Sequence, residues 1–322
     1  MGRHPLFGHP DVHEVCVPVA TVWTRPDAPR AIDAPAVAAV PDLAGWTGSM
    51  DATVRLGLKG RTLTQLLLGE AVQVLEEVGG WVRVVALLQS SSAHEIGYPG
   101  WMRREHLAAP VPRTTGPAAY VMTRTGTCEL DDGTRQELSF GTALWVDSVS
   151  EEAAAVLLPG DRRGTVALEH LRLAHKKQQP VYGADDLLDA ASQFLGLRSL
   201  WGGTSTWGLD CSGLVHLVFR AFGVALPRDA FVQAAEVRPV PLDEVRPGDL
   251  YFFARPGEKI YHVGFVSRPV GADGVRWMLH APETGELLED APLAPHRLDT
   301  LVSAGRVRKP NAGQVPRLDD EA

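Results

Sequence analysis

The apolar residues of this 322-residue chain change their period once, and that change constrains the fold more than any other feature. From Gly69 they recur at every second position. Val72 and Val74 alternate with polar neighbours, Gly79-Gly80 supplies a turn, and Val82 and Val84 resume the alternation after Trp81. Such alternation gives a strand one apolar face. The stretch continues through a polar loop to Gly97-Tyr98-Pro99-Gly100-Trp101 and ends at Glu105-His106-Leu107. A second stretch repeats the plan. Gly141-Thr142-Ala143-Leu144-Trp145-Val146 starts like Gly69-Glu70-Ala71-Val72-Gln73-Val74, Pro159-Gly160-Asp161 turns, and Glu169-His170-Leu171 closes. Matching ends on two short-stranded units indicate a duplicated small β-barrel.

Past Pro180 the period becomes 3.6. Leu187, Leu188, Ala191, Phe194 and Leu195 form one helical stripe, with Asp185 or Asp186 as a cap and Gly196 as a stop. The loop Trp201-Gly202-Gly203-Thr204 leads to a second predicted helix that begins near Cys211 and ends at Gly223. Strands follow at residues 250–253, 260–267 and 276–281, so this half reads as α+β. Pro26, Pro29, Pro35 and Pro41 mark residues 25–48 as an irregular covering segment, with at most a short helix over 34–40. A polar linker is expected at 175–180. The resulting division is an N-terminal segment plus first barrel at 1–112, a second barrel at 113–176, an α+β domain at 180–310 and a tail at 311–322.

Composition excludes several function classes. Apolar residues at 45 % and charged residues at 22 % are ordinary for a globular chain. Lys plus Arg number 31 against 39 Asp plus Glu, and a net charge of −8 argues against nucleic-acid or acidic-lipid partners. It suits a ligand carrying an amino group. No stretch approaches the roughly 18 uncharged apolar residues of a membrane helix. The cysteines, Cys16, Cys128 and Cys211, are odd in number and far apart, as expected in a reducing compartment. The opening residues contain no signal-peptide pattern, so a cytoplasmic protein is expected.

Chemistry concentrates on Cys211, His262 and His280. A thiol at a helix start meets unpaired N–H groups and the positive end of the dipole, which can lower its pKa and bind an oxyanion. A hairpin centred near residue 271 would bring His262 and His280 close to opposite one another, one as base and the other holding its tautomer. A buried inert cysteine, a pair of structural histidines and a zinc site of one Cys and two His are the alternatives at this point. Cys16 and Cys128 have no such neighbours and read as structural.

Trp201-Gly202-Gly203, Asp210-Cys211-Ser212-Gly213-Leu214-Val215, Arg246-Pro247-Gly248-Asp249-Leu250, Tyr261-His262-Val263-Gly264 and Leu279-His280-Ala281 occur in that order. Together they resemble the NlpC-type cell-wall cysteine peptidases, over roughly residues 180–300. The resemblance implies a papain-like α+β catalytic domain preceded by two bacterial SH3-like barrels. It assigns nucleophile to Cys211, base to His262 and orienting residue to His280. The barrels resemble those of a subgroup that cuts free murein peptides between D-Glu and the diamino acid, where the first barrel meets the amine of L-Ala. By that resemblance Tyr98, Glu70 and Asp229 are substrate contacts, and Asp210, Ser212 and the backbone of Ala230 complete the set. The expected activity is γ-D-glutamyl-L-diamino acid endopeptidase, with a small murein peptide as partner and no metal or other cofactor. An extracellular wall-remodelling hydrolase and an inactive wall-peptide-binding module are the rival functions. Two departures stand out: Ser199 where many relatives have a tyrosine thought to assist the oxyanion, and Ala230 where a serine often follows the aspartate.

Overall fold

The computed structural model describes residues 9–111, 118–174 and 181–308; the expected linker at 175–180 and the tail at 311–322 lie outside them. The first sheet has seven strands: β1 (Val12–Val15), β2 (Val19–Trp23), β3 (Thr62–Leu67), β4 (Ala71–Val78), β5 (Trp81–Ala86), β6 (Tyr98–Arg103) and β7 (Leu107–Ala108). Its order is β3-β2-β6-β5-β4-β1-β7. The turn from β4 to β5 is Gly79-Gly80, both at positive φ (56° and 78°), which suits the right-handed twist of a two-residue hairpin. The second sheet comprises β8 (Ala118–Val121), β9 (Thr125–Leu130), β10 (Arg135–Ser139), β11 (Ala143–Val149), β12 (Ala153–Leu158), β13 (Arg162–Ala167) and β14 (Leu171–Ala174). Its order, β10-β9-β13-β12-β11-β8-β14, repeats that of the first strand for strand. Even the ends match, since a 3-10 turn (Arg104–His106, Leu168–His170) precedes the last strand of each.

Between β2 and β3 the proline-punctuated segment is more ordered than its composition implies. It holds α1 (Ala34–Val37), α2 (Leu43–Gly48) and α3 (Ala52–Leu56). Asp33, with no exposed surface, organises it: its carboxylate accepts from Arg30 at 2.8 and 2.9 Å and from the Trp46 indole at 2.9 Å. Reading the strand pattern only from Gly69 overlooked β1, β2 and β3. They precede or follow this insert, and only long-range pairing reveals that they belong to one sheet.

The third unit contains α4 (Ala184–Ser192), the short pair β15 (Thr204–Ser205) and β16 (Gly208–Leu209), α5 (Cys211–Ala221) and α6 (Ala230–Glu236). It continues with β17 (Arg238–Val240), β18 (Leu250–Phe253), β19 (His262–Val266), β20 (Trp277–His280), β21 (Glu289–Pro292), α7 (Pro295–Leu298) and β22 (Leu301–Arg306). The strands form an antiparallel sheet in the order β17-β22-β18-β19-β20-β21, and α5 lies against β19. Phe219 of α5 stacks on Phe265 of β19 with ring centroids 5.8 Å apart, and each such fully buried ring contributes about 1.5–3 kcal/mol. One core runs through Trp23, Trp46, Leu67, Phe140, Phe194, Phe219 and Phe265, so all three units and the insert share it.

Candidate active site

Helix α5 starts where the sequence analysis expected, at Cys211, because Asp210 caps it: the Asp210 carboxylate accepts from the Gly213 N–H at 2.7 Å. Its other oxygen accepts from the Gly202 N–H at 2.9 Å and so anchors the preceding glycine loop. Gly213 has to be glycine, because a Cβ there would sit 2.0 Å from the Gly203 carbonyl. Cys211 is partly exposed at this junction, while Cys16 and Cys128 are free thiols elsewhere. Cys128 is buried, and the Cys16 thiol donates to the Glu105 carbonyl at 3.6 Å.

His262 and His280 meet directly: His262 Nε2 lies 2.8 Å from His280 Nδ1, with the rings nearly perpendicular at 84°. They come close to opposite one another as expected, with the register offset by two residues. Phe265 pairs with Leu279 and Val266 with Met278, so His280 sits against Gly264 and His262 is its diagonal neighbour. Gly264 makes room for this, since a Cβ there would come within 2.8 Å of the His280 Cβ. Burial pushes both imidazoles below the ordinary histidine range, His280 to about 3, and the nearby Arg297 guanidinium pushes the same way.

The thiol departs from expectation. Burial and the adjacent Asp210 charge push Cys211 up to about 12, against the pull of Val263 and Ser212 N–H groups and Arg228. The helix start does not win because the Asp210 carboxylate, which takes only the Gly213 N–H of the first turn, sets a negative charge beside the sulfur. Among the described residues no hydrogen bond links the Cys211 sulfur to either ring.

Tyr98 and Asp229 come together from different units: the Tyr98 hydroxyl donates to the Asp229 carboxylate at 3.2 Å. Asp229 occupies the N-cap position of α6 without capping it by a side-chain bond, and Ala230 is the first residue of that helix. Burial raises the Asp229 pKa, opposed by Arg228 and the Tyr98 hydroxyl. Ser212, nearly buried, donates to Asp210 at 3.3 Å.

Glu70 is a correction. It is 1 % exposed, and its carboxylate is consumed by Arg220 at 2.5 Å, the Leu67 N–H at 2.9 Å and Gln89 at 3.3 Å. A carboxylate so enclosed is a buried ion pair joining the first sheet to α5, not a contact for a ligand. Ser199 is also enclosed, its hydroxyl donating to the Pro282 carbonyl at 3.4 Å, so it does not take the tyrosine's place.

The residue that sequence reasoning missed is Arg228. Its guanidinium donates to both Asp210 oxygens (3.0 and 2.6 Å), to the Ser212 hydroxyl (2.9 Å) and to Thr64 of β3 (3.0 Å). Burial opposes its charge, but Asp210 more than offsets that and raises its pKa. The available signal was a lone arginine between Pro227 and Asp229 at the edge of an apolar run. Gln65 was missed too; it accepts from the Thr204 N–H at 3.2 Å and from the Ser205 hydroxyl at 2.9 Å, fastening the first sheet to the glycine loop.

Residues 196–305 match the NlpC/P60 family, and residues 59–107 match the bacterial dipeptidyl-peptidase Sh3 domain. A γ-D-glutamyl-L-lysine dipeptidyl-peptidase of Bacillus subtilis (strain 168) is 36 % identical over 289 residues, covering 86 % of this chain and 92 % of the relative. Its counterpart from Bacillus cereus (strain ATCC 10987) is 33 % identical over 302 residues, covering 90 % and 89 %. The crystal structure of an NlpC/P60 family protein from Bacillus cereus ATCC 10987 superposes with a TM-score of 0.85 at 31 % identity, covering 92 % of this chain and 99 % of that one.

Proposed function

The chain belongs to the NlpC/P60 family and is a cysteine peptidase, and from that premise we propose that it cuts the γ-D-glutamyl–diamino acid bond of small free murein peptides with an N-terminal L-Ala. The observation that carries this reading is the Tyr98–Asp229 bridge. It sets a hydroxyl and a carboxylate from two units beside the Asp210–Arg228 pair that flanks Cys211. A substrate ammonium leaving water needs such acceptors around it. In this reading Tyr98, from the first sheet, bounds how much chain can extend past that amine.

In the mechanism, the Cys211 sulfur attacks the γ-D-Glu carbonyl while its proton passes to His262. Burial pushes the thiol up and the imidazole down, which favours a proton that passes as the sulfur attacks. Backbone N–H groups at the start of α5 receive the oxyanion, a duty Ser199 does not share. His262 then gives its proton to the leaving amine, and water releases L-Ala-γ-D-Glu from the acyl-enzyme. We take the second sheet, with its repeated strand order, as another SH3-like unit that buttresses α5: Arg172 donates to the Ala221 carbonyl at 2.5 Å. Free thiols at Cys16, Cys128 and Cys211 suit a cytoplasmic recycling enzyme.

The test is mass spectrometry of L-Ala-γ-D-Glu-diamino acid peptides incubated with the enzyme, free or N-acetylated. The free peptide is expected to yield the dipeptide, the acetylated one to react at least about tenfold more slowly, and Cys211→Ala to yield nothing. Equal rates on the two peptides would instead indicate a hydrolase that works on intact wall stems.

A further inference from the structure

We propose that Glu289 is a positioning residue that sets the tautomer of both histidines; the inference rests on the catalytic roles given above. On the β20–β21 ladder Glu289 pairs directly with His280, and its carboxylate oxygen lies 3.4 Å from His280 Nε2. His280 Nδ1 is 2.8 Å from His262 Nε2. A neutral imidazole carries one N–H, so this contact has two arrangements. In the first, His262 Nε2–H donates to His280 Nδ1, and the His280 proton sits on Nε2, facing the carboxylate. In the second, His280 Nδ1–H donates, leaving a bare Nε2 lone pair against a carboxylate oxygen.

The second arrangement sets two acceptors against each other, and Glu289 removes it. The first leaves His262 Nδ1 as the free lone pair, the nitrogen that can take the thiol proton. The carboxylate also favours the positive charge that the pair acquires once it holds that proton. Charged groups of both signs lie around the histidines. Arg297 of α7 disfavours an imidazolium, and Glu283 draws on that guanidinium at 3.4 Å. Glu289 is the carboxylate at the far ring itself. Its side chain is half-exposed, so its replacement leaves the core untouched.

Glu289→Gln and Glu289→Ala are measured beside the wild-type enzyme in two ways. The pH profile of kcat/KM on the free tripeptide should keep its shape, with the acidic limb moved down by about half a pH unit and the plateau lowered about three- to tenfold. The ¹⁵N spectrum of labelled histidines should show His280 Nε2 protonated in the wild type and a mixed tautomer in Glu289→Ala. A lower plateau with an unmoved limb and an unchanged histidine spectrum would make the residue merely structural and overturn the proposal. The spectrum needs no substrate, so a wild type inactive on the peptide that still loses its tautomer in Glu289→Ala would sink the substrate reading and leave Glu289 standing.

Discussion

Arg228 joins three residues of the site and its surroundings, yet it belongs to no catalytic pair. It holds Asp210 through both oxygens while reaching Ser212 and Thr64, so one planar fork fixes the residues on either side of Cys211 and ties them to the first sheet. A lysine cannot reproduce this, because an ammonium is a point charge without the fork. Arg228→Lys is therefore expected to lower kcat/KM at least about tenfold with the fold retained. Arg228→Met, which strands the Asp210 carboxylate, should cost about 3–5 kcal/mol in chemical denaturation. A Lys variant with full activity would show that the fork is dispensable. The Glu70 assignment failed at this same scale. Its place at a strand start was legible, but whether the carboxylate meets a ligand or an arginine depends on Arg220, far along the chain.

At the scale of elements, the His262–His280 contact depends on how closely β19 and β20 pack. Gly264 sets that distance, with Met278 side-chain atoms only 2.6–2.7 Å and the His280 Cβ 2.8 Å from where a Cβ would stand. Met278 can bend aside, but the His280 Cβ cannot move without carrying its ring. Gly264→Ala is expected to cut kcat at least about tenfold, since small misplacements of reacting groups are costly, while KM changes little. A crystal structure of the variant with the 2.8 Å contact intact would contradict the argument. The helix that carries Cys211 was legible from its stripe and its Asp210 cap. The register of the hairpin was not, because counting to its midpoint ignores how the 271–274 loop spaces the strands.

The whole molecule stores its acid sensitivity in buried neutral histidines. Burial holds His106, His216, His262 and His280 below the ordinary value, His216 and His280 at about 3. An unfolded chain protonates such residues as pH falls through about 6.5, whereas the folded chain does so only far lower. The unfolded state therefore binds more protons across that window. Stability is full above about 6.5 and falls as pH drops towards 3, by up to about 1.4 kcal/mol per pH unit for each histidine. Urea titrations at pH 7.5 and 5 should give a lower midpoint at pH 5, and His216→Asn should flatten the difference. A pH-independent midpoint would refute it. His216 lies in α5, and Arg220, one turn on, joins Glu70 of the first sheet to the Gly141 carbonyl of the second unit, so charging that helix loosens all three.

Local chemistry by itself determined the alternating strands, the Gly79-Gly80 turn, the repeated plan of two small sheets and the start of a helix at Cys211. Each depends on side chains a few positions apart, which act through backbone preference and periodicity. Tertiary structure alone decided that Glu70 faces Arg220, that Arg228 grips Asp210, that burial and Asp210 push the Cys211 thiol up and that β1 and β2 join a sheet completed beyond the insert. The reason is physical. The fate of a charge is set by the groups and the dielectric around it, and here those come from segments that meet only when the chain has folded.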